Sequence, residues 1–93
     1  MRFEWDPAKA RRNLAAHGVD FGDAQRAVLD PFRLEILDVR HDYGEDRMQI
    51  IGACYGEVLF VVTVFRSENL CRIISARAST RAESQRYFTH DQT

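Results

Sequence analysis

The sequence predicts one α+β domain: an N-terminal strand, two helices, an antiparallel β-sheet of about four strands and a C-terminal helix. Three observations lead there. Two capped helix starts follow one another between Asp6 and Leu29. Apolar stretches, alternating or continuous, then recur from Phe32 to Ala76 with short polar turns between them. The 93 residues leave room for a single domain, 1–93, and no more.

The elements follow in order. Arg2-Phe3-Glu4-Trp5 alternates polar and apolar, which suits a short strand. Asp6-Pro7 supplies an N-cap and a proline at the first helical position. That helix runs from Pro7 to His17 and stops at Gly18. Ala10, Leu14 and His17 share one of its faces, while Lys9, Arg12, Asn13 and Ala16 take the opposite or flanking ones. Asp20 caps a second helix, Phe21 to Leu29, with an apolar stripe of Phe21, Ala24, Ala27 and Val28, and Pro31 closes it. Phe32, Leu34 and Ile36 alternate with Arg33 and Glu35 as a half-buried strand does. Asp38 to Asp46, polar and containing Gly44, reads as a turn. Strands follow at Arg47–Tyr55, Val58–Phe65 and Leu70–Ala76, and the second is apolar on both faces and so belongs in the middle of the sheet. Thr80 and Glu83 have capping-box spacing and open a helix to about His90.

Composition narrows the function. No apolar run approaches the length of a membrane span, and nothing near the N-terminus resembles a secretory signal, so the expected compartment is the cytoplasm. Cys54 and Cys71 lie in strand-like stretches and are expected as buried free thiols. Glycine-rich phosphate loops, HExxH, Gly-x-Ser-x-Gly and CxxC are all missing, which argues against nucleotide-dependent enzymes, zinc proteases and serine hydrolases. No cofactor is implied. The net charge of −1 conceals an asymmetry: six acids face two arginines from Asp30 to Asp46, whereas five arginines face two glutamates from Arg66 to Arg86. Of the 13 basic residues all but Lys9 are arginine, the side chain best suited to bidentate phosphate contacts.

Three groups of residues carry potential chemistry. The first is the basic segment. Arg72, Ile74 and Ala76 alternate with Cys71, Ile73 and Ser75, Arg77 leaves the strand, and Arg81 and Arg86 lie on the helix beyond. Cations beside the N-terminus of that helix suit a phosphate or a developing oxyanion. The plain alternative is a solvated face with arginines paired to Glu45, Asp46 or Glu83. The second group is the turn with His41, Asp42, Tyr43, Glu45 and Asp46. It lacks a calcium-loop pattern, so metal is not expected, while His41 or Glu45 can transfer protons. The third is the first helix, where Lys9 and Asn13 share a face and His17 precedes Gly18, a position where an imidazolium favours the helix C-terminus.

Together these landmarks resemble the BrnT family of toxins. The resemblance rests on Trp5-Asp6-Pro7-Ala8-Lys9 with Asn13, then His17-Gly18-Val19 with Phe21 and Ala24. It continues through Asp46-Arg47 leading to Ile51-Gly52, and through Arg72-Ile73-Ile74-Ser75-Ala76-Arg77 with Glu83 and Tyr87. It covers nearly the whole chain in order, with one departure: Ala16 stands where the family often has a basic residue.

The resemblance implies a RelE-like fold and the toxin of a type II toxin–antitoxin pair, a ribonuclease that arrests translation. Its implied partners are RNA as substrate, a BrnA-like ribbon-helix-helix antitoxin, and DNA only through the complex with that antitoxin. A metal-independent ribonuclease needs a group to activate the ribose 2′-hydroxyl, a proton donor for the leaving oxygen and cations for the phosphate. On this reading Arg47, Arg72 and Arg77 hold the phosphate, and Glu45, His41, Lys9 or Tyr87 moves protons. Arg81, Arg86 and Asn13 then contact RNA around the site. The main competing reading is a catalytically inactive module that binds an antitoxin and helps to repress a promoter. An unrelated α+β enzyme is the third.

Overall fold

The computed structural model describes residues 1–40, 42 and 44–90. Its elements are β1 (Arg2–Glu4), α1 (Pro7–His17), α2 (Phe21–Val28), β2 (Leu34–Asp38), β3 (Arg47–Cys54), β4 (Glu57–Ser67), β5 (Leu70–Ala78) and α3 (Arg81–Thr89). The helix ends form as their caps dictate. Asp6 accepts a hydrogen bond from the Ala8 N–H at 2.8 Å, and Gly18, at φ 70°, donates its own N–H to the Leu14 carbonyl. Thr80 and Glu83 close a reciprocal capping box on α3.

The strands form one sheet in the order β1-β5-β4-β3-β2. The doubly apolar β4 therefore lies at its centre. The expected antiparallel sheet of about four strands is corrected to a mixed sheet of five. β1 joins the edge parallel to β5, from Arg2 opposite Leu70 to Glu4 opposite Arg72. Alternation over a few residues signals a strand without naming its neighbour. β2 also begins later than Phe32, because Asp30 turns the chain first: its carboxylate accepts the Phe32 N–H and its carbonyl accepts the Arg33 N–H.

Each face of the sheet carries its own core. On one, α1 and α2 cover Ile50, Leu59, Val61, Cys71, Ile73 and Ala76. On the other, Tyr87 of α3 packs with Ile51, Phe60 and Val62. Cys54 and Cys71 are buried free thiols. α1 does not sit as its apolar spacing suggests: Leu14 is 48% exposed and His17 is exposed, while Asn13 is buried. The reason is a requirement for hydrogen bonding at the β5 edge, described below.

α2 lies unusually close to β3. A Cβ on Gly52 would stand 2.1 Å from the Ala27 carbonyl oxygen, so the helix backbone rests where a side chain would be. Gly52→Ala is expected to cost at least about 3 kcal/mol, since neither backbone can yield without disturbing the core. Urea unfolding of the two proteins, compared at the midpoint, measures it.

Candidate nucleic-acid interface

The arrangement of the basic residues depends on an irregularity in β5. Arg72 and Arg77 are five apart, so strict alternation would send them to opposite faces. The ladder with β4 shifts between Val62 opposite Ser75 and Thr63 opposite Ile73, leaving Ile74 as an extra residue. The bulge resets the alternation. Ala76 joins Cys71 and Ile73 in the core under α1 and α2, whereas Ile74 packs with the opposite cluster. Arg77 accordingly lies on the α3 side, its guanidinium 4.1 Å from the centroid of the Phe60 ring. The expectation that Ala76 shares a face with Arg72 and Ile74 is corrected by this bulge.

Sharing a face does not bring the three expected phosphate ligands together. Arg72 lies opposite Val64 and Arg77 opposite Phe60, four residues along β4, or about 13 Å. Around Arg72 runs a chain of alternating charges. Arg72 and Arg66 approach Glu4 at 3.5 and 3.9 Å, and Arg66 and Arg47 approach Glu45 at 3.4 and 3.8 Å. Arg47 and Arg72 thus meet through Glu4, Arg66 and Glu45. Glu4 and Arg66 are members that sequence reasoning missed, because only the pairing of β1 with β5 and the length of β4 place them there.

Arg77 belongs to a different cluster. Glu83 receives its two terminal nitrogens at 2.8 and 3.0 Å. Burial opposes the charge on Glu83, but the Arg77 and Thr80 hydrogen bonds outweigh it and hold the carboxyl below its ordinary range. The same carboxylate accepts the Thr80 N–H, and the Thr80 hydroxyl accepts the Glu83 N–H. A negative charge therefore already sits at the α3 N-terminus, where it competes with an incoming phosphate.

Beside Arg77 is a cavity of about 180 Å³ over Val62 and Ser75, which His17 enters from the end of α1 and Arg40 from the segment after β2. Arg40 is anchored by two side-chain hydrogen bonds to Asp38, at 2.9 and 2.8 Å. Those bonds, working against the burial of Asp38, bring its pKa down to about 2. Past His17 a second depression, about 380 Å³, opens between Ile74 and the α1 residues Lys9, Arg12 and Ala16. A larger hollow of about 760 Å³ is lined by Asp38, Asp42, Glu45 and Asp46, and its acids would repel a phosphate. The smaller, cationic pair is therefore the better candidate for holding a phosphate.

Asn13 holds this corner in place. Its amide nitrogen donates to the carbonyls of Val19 and Ala76 at 3.1 and 2.8 Å, and its oxygen accepts the Ala76 N–H at 3.0 Å. β1 ends opposite Arg72, so beyond it the carboxamide pairs with both main-chain groups of Ala76 as a neighbouring strand would. With its donors and acceptor so engaged, Asn13 positions α1, and its 7% exposed surface borders the second depression.

Tyr87 is likewise internal. Its hydroxyl donates to Asp30, whose carboxylate also accepts the N–H groups of Ala53 and Phe32. Burial and this carboxylate push the phenol up to about 12, which makes it a poor proton carrier at neutral pH. Arg81 and Arg86 are exposed on α3, outside both cavities. His41 falls outside the described residues.

A family model described as "Ribonuclease toxin, BrnT, of type II toxin-antitoxin system" matches residues 5–83. The chain belongs to the BrnT family of ribonuclease toxins. Among solved structures, the Brucella abortus ribonuclease toxin BrnT is similar, with a TM-score of 0.65 and 25% identity over 87% of this chain and 99% of that one. No curated protein sequence matches.

Two expectations follow for this BrnT-family chain. Asn13→Ala leaves Ala76 and Val19 without their partners and should lower stability by about 2–4 kcal/mol in chemical denaturation. Tyr87 ionises near 10 ordinarily and near 12 when folded, so its contribution is intact below pH 10 and lost as pH rises toward 12. Across that window the wild type should lose about 2–3 kcal/mol more than Tyr87→Phe in denaturation curves taken at each pH.

Proposed function

We propose that this chain is a metal-independent endoribonuclease that arrests translation in the cytoplasm. A BrnA-like ribbon-helix-helix antitoxin neutralises it, and it meets DNA only within that complex. The RelE-like label belongs to the same reading, supported by two helices ahead of an antiparallel run and a closing helix. The single observation that carries the proposal is the cavity where Arg77 of β5, His17 of α1 and Arg40 from the segment after β2 converge. Cations there favour an RNA phosphate and oppose binding of a divalent ion.

In the reaction the ribose 2′-hydroxyl gives its proton to a base and its oxygen bonds to phosphorus. The bond from phosphorus to the 5′-oxygen breaks, and that oxygen takes up a proton, leaving a 2′,3′-cyclic phosphate. Arg77, with its planar fork already oriented by Glu83, receives the charge that grows on the phosphate oxygens. His17 borders the Arg77 cavity and is the nearer proton-transfer group, with Lys9 farther along α1 beside the second depression. Arg47, Arg72 and Glu45 lie farther along the same face and act on a neighbouring part of the strand.

The inactive, antitoxin-binding reading has one observation in its favour: Arg47, Arg72 and Arg77 are each already beside a carboxylate. RNA cleavage by the purified chain, with and without a chelator, separates the two. Arg77→Ala is expected to reduce cleavage by about 10²-fold or more and to abolish growth arrest, with the circular dichroism of the wild type. A fully toxic, folded Arg77→Ala protein contradicts the assignment.

A further inference from the structure

Most arginines of the sheet face are accompanied by acids. Arg33, Arg40, Arg47, Arg66, Arg72 and Arg77 all form salt bridges. Lys9 and Arg12, like Arg2, Arg11, Arg81 and Arg86, do not: among the described residues neither of the two side chains makes a hydrogen bond or salt bridge. The nearest acid acting with them is Asp6, whose carboxylate already caps α1 through Ala8. Both are exposed, three residues apart on one helical face, and both border the depression beside Ile74. His17 borders this depression and the Arg77 cavity alike, so the two adjoin at its side chain. Asn13, bonded to the residue next to Arg77, fixes α1 so that this face runs away from the cavity.

We infer that this groove is a second phosphate subsite, in which Lys9 and Arg12 hold the phosphate adjoining the one at Arg77 on a single strand of RNA. The inference rests on the ribonuclease reading for its substrate class. It adds a direction: the strand leaves the Arg77 cavity past His17 and follows α1. Unpaired cations suit this role because they need not give up an internal partner, and their contribution is independent of base sequence.

The test is binding of a fluorescent single-stranded 2′-O-methyl RNA, which lacks the attacking hydroxyl and stays intact. Its affinity is measured from low to moderate salt, and cleavage of ordinary RNA is followed separately. Arg12→Gln should lower the slope of log affinity against log salt by about 0.7, and Lys9→Gln with Arg12→Gln by about twice that. Arg26→Gln, a surface arginine of α2 bonded to Tyr55, is the control for net charge and should leave the slope unchanged. A wild-type slope in the double variant, or an equal fall in the Arg26→Gln control, overturns the subsite. Loss of slope in the variants with no cleavage by the wild type supports the groove and counts against the ribonuclease reading. Cleavage by the wild type with no change of slope in the double variant does the reverse.

Discussion

The pairing of the Asn13 carboxamide with both main-chain groups of Ala76 is the contact on which the rest of the site depends. The edge strand β1 is too short to cover β5 beyond Arg72, and a bare edge inside a folded domain leaves polar groups unpaired. A side-chain amide presents a donor and an acceptor in the geometry of a peptide, so one residue of α1 completes the ladder. The helix is thereby held at a set distance and rotation. Its apolar Leu14 is left exposed, and Lys9, Arg12 and His17 are turned toward the groove.

The bulge at Ile74 acts together with this contact. It reverses the alternation of β5 between Arg72 and Arg77, so that both arginines face the side of the sheet that α3 only partly covers. The extra residue, Ile74, forms one wall of the depression along α1. Without it Arg77 would point into the core beneath α1 and α2, where an unpaired guanidinium could not be accommodated.

A second buried polar contact anchors the opposite end. Asp30, at the turn after α2, gathers the Tyr87 hydroxyl and two main-chain N–H groups and so ties α3 to β3 and to the loop before β2. Burial opposes the Asp30 charge, and the three donors more than compensate, so the carboxylate stays ionised below its usual range. α3 held in this way keeps Glu83 against Arg77. The catalytic arginine of the proposed reaction is thus oriented from both directions, by α1 through Ala76 and by α3 through Glu83.

The sequence by itself determined the helices, their caps, the central place of β4 and the basic character of the Arg72–Arg77 segment. These are local properties, set by capping chemistry and periodicity over a few residues. The family resemblance carried by Trp5-Asp6-Pro7, His17-Gly18-Val19 and Arg72 to Arg77 was legible too. The tertiary structure alone decided that β1 lies beside β5, that Asn13 and Tyr87 are internal, and that Arg72 and Arg77 share a face yet stand apart. Each of these turns on partners distant in the chain, such as Asn13 with Ala76 or Asp30 with Tyr87. A polar residue in a sequence carries no sign of whether its hydrogen bonds will go to water, to RNA or to an uncovered strand edge.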